Sequence, residues 1–172
     1  VVMSAQEWPS IDKGLRDAGF HWSSSLIWVK DQLVLSRKDY HTQYEPIWYG
    51  WNDDGPRIMH VPDRKQSDIW NIARPKVSTL HPTTKPVELI ERALLNSSVR
   101  DAVVLDLFGG SGSTLIACDQ QGRRARLMEL DPRYCDVIVT RWQAFTGKDA
   151  QLDGGGTFTE EAAARIMETV DD

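Results

Sequence analysis

Asp106, Gly109, Gly110, Gly112 and Glu129 are the residues of this sequence whose types and spacing could do chemistry. The three glycines let the backbone turn tightly and leave no Cβ to hold a ligand away from it. A helix that begins directly after such a turn points its free N–H groups at whatever occupies the turn. A carboxylate about 20 positions beyond the glycines, at the end of the next strand, can accept hydrogen bonds from ribose hydroxyls. Together these residues predict a site for a nucleoside cofactor. A turn that merely joined a strand to a helix would leave Glu129 without a role.

The elements that must position them read from the same stretch. Residues 103–107 (VVLDL) form an apolar run of strand length, of the kind buried on both faces of a parallel sheet. Residues 114–121 are expected as a helix. Residues 124–130 are expected as the next strand, which would bring Glu129 to its carboxyl end, the edge where ligands sit in open α/β sheets. The fold class is therefore α/β.

Three cofactor loops compete for this pattern, and spacing separates them. A phosphate-binding GxxxxGK[ST] loop needs a Lys that does not follow these glycines. A dinucleotide GxGxxG loop needs a third glycine where this chain has Leu115, which disfavours a nicotinamide oxidoreductase. What remains, residues 106–112 (DLFGGSG), resembles D-x-F-x-G-x-G, the first motif of the S-adenosylmethionine-dependent DNA amino-methyltransferases.

The resemblance extends over residues 1–148. Residues 81–86 (HPTTKP) are similar to the family's HPTxKP motif, which precedes the cofactor strand and helps hold the methionine end of the cofactor. Residues 25–30 (SLIWVK) and 44–49 (YEPIWY) resemble later motifs of the catalytic half. The order, with the target half first and the cofactor half last, is that of the family's permuted subclass. The resemblance implies a Rossmann-like methyltransferase fold with a mainly parallel sheet, and S-adenosylmethionine as cofactor. It implies His81, Thr83, Lys85, Asp106, Phe108, Gly110, Gly112, Ser113 and Glu129 as cofactor-binding residues. It further implies double-stranded DNA as partner, restriction-modification as setting, and methyl transfer to an amino nitrogen of a flipped base. Adenine N6 is favoured as target, with cytosine N4 as the alternative.

One motif of the family is absent. The reacting base is held there by [DNS]-P-P-[YFW], whose polar side chain and backbone carbonyl accept from the amine while the aromatic ring stacks. No Pro-Pro dipeptide occurs in this chain, so it offers no catalytic residue. Asp131-Pro132-Arg133-Tyr134 follows the ribose-binding strand and reads as a helix start with Pro in its first turn. In the permuted order the missing motif and its strand precede Val1. The resemblance thus implies the carboxyl-terminal part of a methyltransferase, its sheet completed by self-association, a second chain or a preceding segment. A catalytically inactive, cofactor-binding remnant or regulatory subunit is the competing reading.

Composition bounds the rest. A chain of 172 residues supports one domain with a real core. Two cysteines and four scattered histidines predict neither a disulfide framework nor a metal site, and a cytoplasmic chain without a membrane span is the default. The net charge of −5 is uneven: residues 149–172 carry seven acidic residues and one Arg, −6, leaving +1 for residues 1–148. Residues 1–148 are expected as a partial methyltransferase domain and 149–172 as an acidic flexible tail, with a break at residues 153–156 and a helix over 159–169.

Within the domain, residues 1–52 supply target-side strands, 53–78 a recognition-loop region and 79–148 the cofactor half. Residues 1–4 should end a strand. Helices are expected over 10–18, 83–97 and 132–146, and extended pieces over 21–30, 33–36 and 45–51. The apolar faces should be Val87, Ile90, Leu94 and Leu95 in one helix, and Val137, Ile138, Trp142 and Phe145 in another. Trp70, in a polar stretch, points to a loop packed back on the body.

Overall fold

A short helix and a long hairpin open the chain. The computed structural model describes residues 1–55, 65–75 and 84–168. They separate into two units, Val1–Val77 with Lys85–Arg100, and Ser78–Thr84 with Asp101–Asp172.

In the first unit, a single 3-10 turn at Ala5–Glu7 leads into helix α1 (Trp8–Asp17). Pro9 fits in the first turn, where its missing N–H has no partner to lose. The helix stops at Ala18, and Gly19 follows at φ +81°, a left-handed conformation natural to glycine. Strand β1 (Phe20–Val34) then pairs antiparallel with β2 (Thr42–Asn52), from Phe20↔Asn52 to Val34↔Thr42. The expected break at Asp31 does not occur. This end of β1 is exposed, so the charge stays solvated, and the Asp31 carboxylate accepts the Arg74 N–H at 2.9 Å.

Strand β3 (Ile69–Asn71) adds parallel to the other side of β1, giving the order β2-β1-β3. Residues 1–3 run along β2 through a Val2↔Ile47 bridge, as a strand end should. The core joins Trp28, Ile47, Trp70, Ile72 and Leu89. Trp28 is 1% exposed, and its indole N–H donates to the Ile72 carbonyl at 2.7 Å, so the ring is buried with its polar atom satisfied. Trp70 does pack back on the body, with the Arg92 guanidinium 4.6 Å over its ring.

Helix α2 (Val87–Ser97) starts later than residue 83. Pro86 disfavours helical backbone at Lys85 and itself stays extended at ψ 139°. Its buried residues are Leu89 and Leu94; of the predicted quartet Leu94 is buried, Val87 and Ile90 are half-buried and Leu95 is exposed.

Helix α1 is tied to β2 by the Trp48 indole N–H, which donates to Asp12 Oδ1 at 2.8 Å. This bond and then the Arg16 side chain hold the Asp12 carboxyl below its ordinary 3.8. A depressed folded value means the contact stabilises above pH 3.8 and is lost as pH falls through the folded value. The Trp48 indole N–H resonance is therefore expected to move only below pH 3.8. A transition centred at or above that pH would contradict the pairing.

In the second unit, β4 (Val103–Asp106) and β5 (Arg124–Leu127) pair in parallel around helix α3 (Ser113–Gln121), in register from Val103↔Arg124 to Asp106↔Leu127. Helix α3 buries Ile116, Ala117 and Cys118. Burial pushes the Cys118 thiol up to about 11, which keeps it neutral and unreactive. Strand β4 departs from the expected two-sided burial, since Val103, Leu105 and Leu107 are each more than half exposed. Among the described residues only β5 pairs with it.

Helix α4 (Pro132–Thr146) has the expected bounds, with Ile138 buried and Phe145 exposed. Asp131 caps it by accepting the Arg133 N–H at 3.0 Å, the helix-start role read from Asp131-Pro132. The acidic segment carries α5 (Phe158–Glu168), close to the predicted helix. Thr157 and Glu160 form a reciprocal cap there: Glu160 Oε2 accepts the Thr157 N–H at 2.8 Å, and Thr157 Oγ1 accepts the Glu160 N–H at 3.2 Å. No helix among the described residues is long and apolar enough to cross a membrane.

Candidate cofactor site

The site is the turn that joins β4 to α3. Asp106, the last residue of β4, spans it with one carboxylate. Its Oδ1 accepts the Phe108 N–H at 3.1 Å and its Oδ2 the Thr114 hydroxyl at 2.6 Å. The acid therefore fixes both the start of the turn and the first turn of α3. The glycine motif does not mark Thr114; its sequence signal is a second hydroxyl residue, two positions after Gly112. Thr114→Val is expected to cost about 1.5 kcal/mol, the lower end for a hydrogen bond to a charged group because Asp106 is partly solvated. Denaturant unfolding checks this, and an unchanged midpoint would remove Asp106 from the role.

The three glycines serve different ends. Gly109 donates its N–H to the Met128 carbonyl at 2.8 Å, and a Cβ there would lie 2.9 Å from Ile138. Gly112, at φ +78°, also backs onto Ile138, which a Cβ would meet at 3.1 Å. These two are packing glycines. Gly110, at φ +54°, faces open space, its nearest neighbour for a Cβ being the Phe108 carbonyl at 3.8 Å. Gly110 is thus the position where a ligand can lie on bare backbone. The Phe108 ring beside it is 84% exposed, while Ser113 is buried.

Glu129 lies two residues beyond β5, not at its last residue. Its Oε2 accepts the Gly110 N–H at 2.7 Å, and its Oε1 accepts the N–H groups of Leu130 and Asp131 at 2.9 and 3.1 Å. The carboxylate is pinned against the turn by backbone donors. Of the predicted residues, the structure brings Asp106, Phe108, Gly110, Gly112, Ser113 and Glu129 into one loop system.

Lys85 belongs to the first unit. Its Nζ pairs with Glu45 Oε2 at 2.9 Å, and Lys30 Nζ pairs with Glu45 Oε1 at 2.8 Å. Both ammonium groups lie over the Trp28 ring, at 6.0 and 5.3 Å. Lys30 and Glu45 were not picked from the sequence; their charges inside otherwise apolar strand segments were the visible sign. His81 and Thr83 lie outside the described residues. Among the described residues no cluster of three or more His, Cys, Asp or Glu could hold a metal ion.

A glycine turn between a parallel strand and a helix, with a carboxylate fixed against it, defines an α/β nucleoside-cofactor protein. The chain belongs to the N6/N4 DNA methylase family, whose model matches residues 5–140. S-adenosylmethionine is the cofactor of this family. One relative, the Type II methyltransferase M.Cfr9I of Citrobacter freundii, is 29% identical over 149 residues, covering 80% of this chain and 49% of the relative. The DNA adenine methyltransferase YhdJ of Escherichia coli is 28% identical over 200 residues, covering 96% of this chain and 64% of the relative. The fold is shared with the M1.HpyAVI–SAM complex, at a TM-score of 0.74 and 23% identity over 82% of this chain and 72% of that one. The chain spans about half the length of the curated relatives it matches.

Proposed function

We propose that this chain carries the cofactor site of a DNA amino-methyltransferase, which moves a methyl group from S-adenosylmethionine to N6 of a flipped adenine in double-stranded DNA. The observation that carries the reading is the Glu129 carboxylate held 2.7 Å from the Gly110 N–H. A carboxylate already pinned by three backbone N–H groups can meet a ribose hydroxyl without losing rotamer freedom. Gly110 supplies bare backbone for the ligand, and Asp106 keeps the turn open through Phe108 and Thr114. The resemblance gives His81, Thr83 and Lys85 the methionine end.

When bound, the cofactor supplies an electrophilic sulfonium methyl. The groups that would hold the base amine in line with it belong to the Pro-Pro motif that these 172 residues lack. Adenine is preferred over cytosine because the relative matching 96% of the chain is a DNA adenine methyltransferase.

The test joins the chain to a segment bearing that motif, incubates it with duplex DNA and cofactor, and analyses the nucleosides by mass spectrometry. N6-methyl-2′-deoxyadenosine is the expected product. N4-methylcytosine would move the target, and unmodified DNA would favour an inactive cofactor-binding remnant.

A further inference from the structure

Arg141, on α4, approaches the same turn from the side of Ser111 and Ser113. Its Nη1 donates to the Ser111 carbonyl at 2.9 Å, to Ser113 Oγ at 3.1 Å and to Ser111 Oγ at 3.2 Å. Both serines are more than nine-tenths buried. The guanidinium is half-buried, and burial lowers its pKa with no acidic group offsetting the effect. A partly desolvated cation ordinarily has a carboxylate partner. Here all three acceptors are neutral oxygens of one short segment.

The placement breaks a second rule. Ser113 opens α3, and the amino end of a helix is the positive end of its dipole, where a cation is disfavoured. An arginine that merely covered apolar surface would extend its head into water. Arg141 turns its head into the turn instead. Such local conflicts collect where a fold serves a site.

We infer that Arg141 is a positioning residue of the cofactor site. From α4 it clamps Ser111 and Ser113, and so fixes the backbone of residues 110–113 in the shape the cofactor reads. The inference rests on the cofactor reading above. It adds a residue that carries no loop motif and lies 28 and 30 positions from its partners in the chain.

The experiment compares Arg141→Ala, Arg141→Lys and Ser111→Ala with the parent in the full chain. Two readouts are taken: amide exchange without ligand, and S-adenosylmethionine affinity by titration. Arg141→Ala should speed exchange at Gly112 and Ser113 while Ile116, Ala117 and Cys118 keep their protection. It should weaken cofactor binding about tenfold or more, as expected for lost hydrogen bonds to a charged group. Arg141→Lys should recover part of the affinity, since it keeps the charge but not the planar fork. Ser111→Ala, which leaves the carbonyl contact, should fall between the parent and Arg141→Ala. Unchanged affinity in Arg141→Ala, or exchange rising equally throughout α3, would overturn the clamp. A parent chain that exchanges normally and binds no cofactor would overturn the cofactor reading, and this inference with it.

Discussion

Incubated with tritiated S-adenosylmethionine and duplex DNA, the 172-residue chain alone should transfer no methyl group to DNA, the largest effect expected here. In-line transfer needs acceptors that orient the amine and a ring that stacks on the flipped base. The Pro-Pro motif that supplies both in this family is absent from these residues. The same account sets the chain's behaviour in solution. Strand β4 has a partner only in β5 among the described residues, and its Val103 and Leu105 side chains are more than half exposed. An apolar strand with an open edge recruits other strands. Leaving its groups buried and unpaired would cost on the order of 1–3 kcal/mol each. Light scattering should therefore give a mass above the 19.5 kDa of one chain. A clean monomer that methylates DNA would refute both halves of the prediction.

Glu129→Ala should weaken S-adenosylmethionine binding by ~1.5–3 kcal/mol, or roughly 10- to 150-fold. Two losses combine. The ribose acceptor disappears, and the N–H groups of Gly110, Leu130 and Asp131 lose the carboxylate that orients them. Glu129→Asp retains the charge but shortens the reach, so it should lie between alanine and the parent. Calorimetry on the three proteins measures this, with circular dichroism as the control for folding. Equal affinities in folded protein would remove Glu129 from the site.

A substitution at Gly112 reports less directly on the ligand. Its left-handed φ and its contact with Ile138 mean that Gly112→Val disturbs the protein's own packing. Gly110→Ala meets open space rather than Ile138, but at φ +54° it also strains the backbone, so its affinity is read beside circular dichroism as a control for folding.

What could be read from the sequence was local. The turn at residues 109–112 was legible because glycine is the residue for a left-handed or tightly approached backbone. The bounds of α4 were legible because Asp131 and Pro132 start a helix and Gly147 ends it at φ +71°. Long-range packing was not legible. Ile138 against Gly109 and Gly112, and Arg141 against Ser111, depend on how α4 folds back, which no short pattern encodes. Strand β1 ran through Asp31 because an exposed strand end tolerates charge, so polarity there misread as a boundary. Lys85 carried its motif plainly, yet its partner Glu45 comes from β2, 40 positions earlier in the chain.

The central claim is that the turn between β4 and α3 is a site for S-adenosylmethionine. Its most direct test is a nuclear magnetic resonance titration of the isotope-labelled chain with S-adenosylmethionine and, separately, with NAD. Binding of S-adenosylmethionine should be weak but saturable, with the amide signals of Gly110, Ser111, Gly112 and Leu130 moving together and NAD leaving them in place. Shifts produced by NAD alone, or shifts from S-adenosylmethionine confined to residues away from this turn, would contradict it.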